Sequence, residues 1–338
     1  MAVRVKRKKV PQIMTQSRKP CSRCTLVGRT QPLVAGLSLV VLLCSLAPTW
    51  AQEKKKPAAP KPEEKKIEEV TLTSKDGWAI RATYYPGPEA KTTVPFILVH
   101  DWEGNRTDMH GLADFLQGLG HAVIVPDLRG HGSSATAPGA DKPLDLSKLN
   151  RGGIEAVVLD IEAAKNYLLQ RNNEGKLNIE QLCVVGTGFG ASLATLWAVN
   201  DWAVRDLPTY KMGRDVKALI LVSPIVSFKG VTINEALKAR ATLSQLSIMT
   251  MVGYQDARRY TDAKRVFKAL EKARGEADAA AIPFVEADTT LQGKDLLYAA
   301  GVAVNGLRTS DWIRSFVDER LVKQAAAYPW ADRTSPLK

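Results

Sequence analysis

The stretch Gly186-Thr187-Gly188-Phe189-Gly190 has the frame of a nucleophilic turn and lacks its nucleophile. A Gly-x-Ser-x-Gly pattern between a strand and a helix holds a serine hydroxyl on a sharp bend, where it can attack a carbonyl. Here the apolar run Leu182 to Val185 precedes the turn, and Leu193, Leu196 and Trp197 follow it at helical spacing. Gly188 stands at the serine position and brings no side-chain atom to react. A serine hydroxyl also needs an imidazole to take its proton. The four histidines, His100, His110, His121 and His131, all precede the turn, and none follows Gly132.

Other reactive types are few. Ser133 and Ser134 lie close to His131, and Ser192 falls one turn into the helix. The helix position suits Ser192 to packing or a local backbone bond. A His131–Ser134 pair would need an oxyanion hole of its own. His100, Asp101, Asp127 and His131 are by type a set that suits zinc or a related ion. They lack the spacing of a ligand motif, so no metal and no other cofactor is expected.

The elements that must position these residues alternate. Val70-Thr71-Leu72 and Trp78 to Tyr85 flank Asp76-Gly77, the signal of a hairpin. Pro95 to Val99 reads as a strand buried on both faces. Met109, Leu112, Phe115, Leu116 and Leu119 recur as a helix, and Ala122 to Val125 as a strand. Ile154, Val157, Val158, Ile161 and Leu168 predict one helix. Strands follow at Leu182 to Val185, Leu219 to Val222, Ile248 to Val252 and Pro283 to Val285. Val266, Phe267 and Leu270 mark a helix, and Trp312 to Leu321 a closing one. This order predicts an α/β fold with a mostly parallel central sheet flanked by helices. Ligands in such sheets bind at the carboxyl ends of the strands.

The first 51 of the 338 residues differ from the rest. Residues 1–30 carry nine Lys/Arg and no acid, an apolar run spans Leu33 to Leu46, and Thr49-Trp50-Ala51 is a small-x-small pattern. Residues 1–51 therefore read as a signal peptide, with Met14 an alternative start. The apolar run is short of the ~20 residues a spanning helix needs and meets Pro48, so a membrane is expected only through an uncleaved leader. Export to the exterior, the periplasm or the cell envelope follows from the leader. Residues 52–68, rich in Lys, Glu, Pro and Ala, read as a solvated linker, and 69–338 as the folded domain. Without the leader the net charge falls from +12 to +3, since 38 basic residues then face 35 acidic ones. That balance gives no reason to expect a nucleic-acid partner. Cys21, Cys24 and Cys44 leave with the leader, and Cys183 remains as a small core residue, so no disulfide framework is expected.

Four segments give the chain a resemblance to the α/β-hydrolase family. Val99-His100-Asp101-Trp102-Glu103-Gly104 looks like the family's His-Gly-x-x-Gly turn after its third strand. Asp127-Leu128-Arg129-Gly130-His131-Gly132 closely matches the loop after its fourth. The Gly188 turn is the third segment. Gly253-Tyr254-Gln255-Asp256 fits the Gly-x-x-Asp turn that presents the catalytic acid. By position, Gln292-Gly293 is similar to the segment where the family carries His-Gly.

The resemblance implies an α/β-hydrolase fold with a small or absent cap, since only about 20 residues lie between Ser223 and Leu246. It implies that Gly188, Asp256 and Gln292 hold the nucleophile, acid and base positions of a triad that is not intact, because Gly188 and Gln292 cannot do that chemistry. A glutamine amide cannot accept and return a proton at neutral pH. It also implies an oxyanion hole made by the backbone N–H groups of Phe189 and Trp102. His100, Asp101 and His131 complete the expected binding residues, the two histidines as loop residues bonded to their own turns. Asp101 stands where the family has glycine and adds charge and bulk beside the hole. The expected function is that of a pseudohydrolase binding a small ester, carboxylate or peptide-like ligand, or a protein partner. The alternative is an active esterase- or peptidase-type hydrolase using a displaced nucleophile or a metal.

Overall fold

The computed structural model describes residues 66–275 and 279–335. The leader, its cysteines and nearly all of the linker lie outside the described residues. No helix among those described is long and apolar enough to cross a membrane.

Eight strands form one sheet: β1 (Glu68–Thr73), β2 (Ala79–Tyr85), β3 (Pro95–Val99), β4 (Ala122–Pro126), β5 (Leu182–Thr187), β6 (Val216–Val222), β7 (Ser247–Gly253) and β8 (Phe284–Ala287). Their order across the sheet is β1-β2-β4-β3-β5-β6-β7-β8. β1, β2 and β4 pair antiparallel, and β3 to β8 run parallel with β4 at one side. β1 begins at Glu68, one residue inside the expected linker. As an edge strand it buries alternate residues only, so its charged start reads as tether in sequence.

The inner parallel strands, β3 to β7, are buried on both faces. Ile97, Val99, Val184, Leu219 and Leu221 turn one way, against Trp197 and the helices α2 (Val158–Asn173), α3 (Phe189–Ala203) and α4 (Ala257–Arg274). Phe96, Leu98, Cys183, Val185 and Ile220 turn the other way, against α1 (His110–Gly118) and α6 (Thr309–Val317). The Cys183 thiol is fully buried and unpaired, and burial pushes its pKa up, so it is inert core. α5 (Gly293–Tyr298) follows β8.

Two helices differ from the sequence pattern. The helix expected through Ile154 to Leu168 is broken at Ala156–Val157, with a separate turn over Arg151–Glu155 capped by Asn150. Gly152 and Gly153, both poor helix formers, occupy that first turn. The closing helix ends at Val317 and widens into a π-turn over Asp318–Val322. Between β6 and β7 the cap is a two-rung hairpin, Ser227–Phe228 with Val231–Thr232, and two short helices, Asn234–Leu237 and Arg240–Leu243.

Register fixes where the loops meet. Val99 pairs with Gly186, Thr187 with Val222, Val222 with Met251, and Gly253 with Ala287. The carboxyl ends of β3, β5, β6, β7 and β8 therefore lie along one edge. The loop after β4 is locked from below by Arg129, only 4% exposed, whose guanidinium holds Asp160 of α2 at 2.7 Å and Asp76 of the β1–β2 turn. Asp160 is fully buried, so removing its partner leaves an uncompensated charge. Arg129→Met is expected to cost about 3–5 kcal/mol in urea unfolding at pH 7. A loss below about 1 kcal/mol, the range of exposed pairs, would show that this bridge does not hold the loop.

Candidate functional site

Gly188 joins β5 to α3 and has φ +54° and ψ −120°, the left-handed side of the map where L side chains are strained. Its N–H donates to the Val222 carbonyl at 2.9 Å. The flanking glycines are required by close packing. A Cβ on Gly186 would stand 2.5 Å from the Ala191 Cα, and one on Gly190 would stand 2.3 Å from the His100 carbonyl oxygen. The strand, turn and helix thus pack too closely for a side chain at either flanking position.

The space above Gly188 is filled from β3. Asp101 lies two residues beyond β3, and its Oδ1 accepts from the Phe189 N–H at 2.7 Å and from the Trp102 N–H at 2.8 Å. These are the two donors that the family resemblance implies for an oxyanion hole. Asp101 Oδ2 lies 1.9 Å from where a Cβ on residue 188 would be, so the carboxylate occupies both the hole and the missing side chain's volume. Charge-assisted bonds from two backbone amides favour the carboxylate, while burial opposes it and raises its pKa. Both of these bonds go to Oδ1, and Oδ2 takes part in neither.

Gln292 follows β8 at the start of α5. Its Nε2 donates to the Gly253 carbonyl at 2.7 Å, and its Oε1 accepts from the Ser223 hydroxyl at 2.7 Å. Asp256 caps α4 instead, accepting from the Arg258 and Arg259 N–H groups at 3.0 Å each. The amide of Gln292 donates to backbone carbonyls and not to Asp256, so the two residues are not brought together as an acid–base pair.

A cavity of about 290 Å³ opens between these strand ends, lined by Asp101, Trp102, Thr187, Ser223, Arg259 and Gln292 among others. His100 and His131, expected among the binding residues, do not line it. His100 is fully buried, donates from Nδ1 to the Asp101 carbonyl at 2.7 Å and accepts at Nε2 from the Leu128 N–H at 3.0 Å. His131 donates from Nδ1 to the Arg129 carbonyl at 3.0 Å and accepts at Nε2 from the Glu103 N–H. Both rings are spent on stitching the β3 and β4 loops together, which leaves no nitrogen for a ligand. The Phe189 ring, 1% exposed, also leaves the cavity and packs on Trp102 and on Phe228 of the cap, with centroids 5.9 and 4.9 Å away. Only its backbone N–H serves the site. Trp102 does reach the cavity wall.

The remaining candidates are structural. Ser134 Oγ accepts from the Arg81 N–H, and the buried Ser192 hydroxyl donates to the Ile225 carbonyl. Asp127 is held by Arg106 and by the Ser133 N–H. Among the described residues no group of three or more His, Cys, Asp and Glu could hold a metal ion. The loop after His131 does meet the cap, where Lys229 donates to the Leu146 carbonyl at 2.7 Å.

Sequence reasoning missed Ser223 and Arg259. Ser223 sits at the carboxyl end of β6 with φ +51°, a strained conformation for a residue with a side chain. Its hydroxyl donates to Gln292 and accepts from the Gly293 N–H at 3.0 Å. Its position at a parallel strand end was the one signal available. Arg259 carried none, since it is one of several basic residues on an exposed-looking helix.

In comparison with known proteins, residues 96–336 match the model of the alpha/beta hydrolase family. Solved structures share the fold at low identity. An esterase of Pyrococcus furiosus is 13% identical, with a TM-score of 0.54 over 76% of this chain and 94% of that one. A fungal esterase of Rhizomucor miehei is 15% identical, with a TM-score of 0.54 over 77% of this chain and 85% of that one. A putative dienelactone hydrolase of Klebsiella pneumoniae is 12% identical, with a TM-score of 0.50 over 76% and 98%. No curated protein matches the sequence significantly.

Two outcomes follow from this geometry. Gly188→Ser puts a Cβ into the Asp101 carboxylate at positive φ, and is expected to destabilise by about 1–3 kcal/mol. In Gly188→Ser/Asp101→Gly the steric part should be recovered, so the double-mutant cycle is strongly non-additive; additive costs would show that the two residues do not share this space. Stability should also fall in acid. Burial pushes His100 down to about 4 and His121 down to about 4 from 6.5. Both stay neutral in the folded chain while the unfolded chain protonates, so their contribution is complete above pH 6.5 and is lost as pH falls towards 4. The loss is about 1.4 kcal/mol per pH unit per histidine. His121→Phe should flatten the slope by one proton, and an unchanged slope between pH 6.5 and 4 would contradict the assignment.

Proposed function

The chain belongs to the α/β-hydrolase family, and from that premise we propose that it is a non-catalytic member that binds a small ligand at the strand ends without cleaving it. One observation carries the reading. The Asp101 carboxylate takes both backbone donors that would stabilise an oxyanion, and its second oxygen stands where a side chain on residue 188 would begin. Hydrogen bonds to the developing oxyanion commonly lower the barrier to acyl transfer more than any other single effect, and they need those donors free.

Three further features support the same reading. Gly188 supplies no nucleophile and Gln292 no proton acceptor. Asp256 is engaged as a helix cap. The cavity itself persists, with polar groups converging on it and Trp102 in its wall. We further assign residues 1–51 to export and 52–68 to a tether, on the basic stretch, the apolar run and the Lys/Glu/Pro composition of the sequence.

The test is hydrolysis of activated esters and amino-acid anilides by the purified chain. No turnover is expected from the wild type or from Gly188→Ser, because the members of a triad act as a unit. Turnover that survives repurification and disappears in Ser223→Ala or Asp101→Asn would overturn the reading and identify a displaced nucleophile. Gly188→Ser/Gln292→His/Asp101→Gly is the combination that supplies a hydroxyl, an imidazole and free donors together, and it is the fair attempt at rescue.

A further inference from the structure

An external carboxylate or ester carbonyl has no access to the Phe189 and Trp102 amides while Asp101 holds them, so the ligand must be recognised by what the cavity still offers. What remains is a pair of opposite charges. Asp101 Oδ2 is an anionic acceptor without a partner. Arg259, one turn into α4, lines the same cavity, forms no ion pair among the described residues, and leaves its Nη1 buried without a hydrogen bond. A buried donor of this kind is costly unless something pairs with it. Both side chains line one cavity and the guanidinium charge favours the carboxylate through space, yet no ion pair or hydrogen bond joins them among the described residues.

The other charges of the cavity do not offer the same opportunity. Lys294 is already bonded to Asp108 at 2.7 Å. Among the described residues of the cavity wall, the acids Asp101, Glu103, Asp108 and Asp295 outnumber the bases Arg259 and Lys294. A bare anion is therefore disfavoured overall, and a ligand needs a cationic end at Asp101. The volume of about 290 Å³ lies just below the ~300 to ~1,000 Å³ of drug-sized ligand sites. It suits a metabolite and not a folded segment of protein.

We propose that this cavity binds a free α-amino acid or a close relative of one, its ammonium group donating to Asp101 Oδ2 and its carboxylate accepting from Arg259, with the side chain against Trp102. The proposal rests on reading the cavity as a non-catalytic binding site and names the ligand class. Gly188 has a direct part in it. With any side chain at residue 188, the Asp101 carboxylate could not lie over the turn with Oδ1 in the amide pair and Oδ2 left for the ligand. The loss of the nucleophile is thus what creates the cation acceptor.

The experiment screens the common amino acids at millimolar concentration by thermal unfolding of the full chain, then measures the best binder by calorimetry. At least one should raise Tm by about 2–4 °C. Its N-acetyl derivative, without the ammonium, and its amide, without the carboxylate, should each bind at least about tenfold more weakly. Asp101→Asn keeps an oxygen for the two amides and should abolish the preference for the free amine over the N-acetyl form. Arg259→Gln should abolish the preference for the acid over the amide. No stabilisation by any amino acid, or equal binding of the N-acetyl form, would overturn the inference. Those results leave the non-catalytic reading standing if the ester panel stays silent, whereas ester turnover overturns that reading whatever the amino acids do.

Discussion

Two backbone amides and one carboxylate organise the site. The Phe189 and Trp102 N–H groups come from different segments, the first turn of α3 and the loop after β3, and they converge because β3 and β5 are neighbours in register. Asp101 Oδ1 bridges them at 2.7 and 2.8 Å. Its position depends on Gly188 having no side chain, and the turn's dihedral angles are ones that glycine reaches without strain. Gly188 and Asp101 are therefore one feature: a side chain absent from the β5 turn is replaced in space by one arriving from β3. Around that pair the histidines become braces. His100 ties the Asp101 carbonyl to the Leu128 amide, and His131 ties the Arg129 carbonyl to the Glu103 amide, so the β3 and β4 loops hold each other in place.

Backbone strain lies on the cavity wall and not at Gly188. Gly188 bears its positive φ cheaply, but Ser223 at φ +51° and Glu103 at φ +66° are non-glycine residues on the cavity wall. Such conformations cost of order 1–3 kcal/mol each and persist where surrounding bonds over-determine them. For Ser223 those bonds are visible, a donation to Gln292, an acceptance from Gly293 and a backbone donation to the Met251 carbonyl at 2.7 Å. Gln292 is thus not an idle replacement for a base. It closes the gap between β6, β7 and α5 with both ends of its amide.

The architecture was legible in the sequence because its signals are local. Apolar strand runs, glycine turns and helical spacing name each element without knowledge of its neighbours, and the parallel sheet follows from their alternation. The misses have physical causes of the same kind. β1 starts inside the charged tract because an edge strand turns every second residue to solvent, and the helix through Ile154 breaks where Gly152 and Gly153 weaken its first turn. At the site, the absence of a serine and of a downstream histidine could be read by counting. The destination of the Asp101 side chain could not, since it depends on a register between strands more than 80 residues apart. Arg259 was invisible for a related reason: only the packing of α4 beside β7 distinguishes it from the other basic residues of that helix.

Energetics orders these losses. With a side chain present at residue 188, a carboxylate at residue 101 would have to lie elsewhere, because Oδ2 and that Cβ would be 1.9 Å apart. A carboxylate pressed against a nucleophile and its oxyanion donors opposes the negative charge that acyl transfer develops there. On the proposed non-catalytic reading Asp101 opposes that chemistry, whereas Gly188 merely omits it. Once residue 188 is glycine the opposition disappears, and an aspartate at residue 101 becomes favourable, since it satisfies two buried amides that would otherwise depend on a bound ligand or water. The carboxylate that takes the two amides through Oδ1 keeps an unbonded Oδ2 on a residue of the same cavity wall as Arg259. On the non-catalytic reading proposed above, one carboxylate turns a pair of oxyanion donors into a site whose unmet need is a cation.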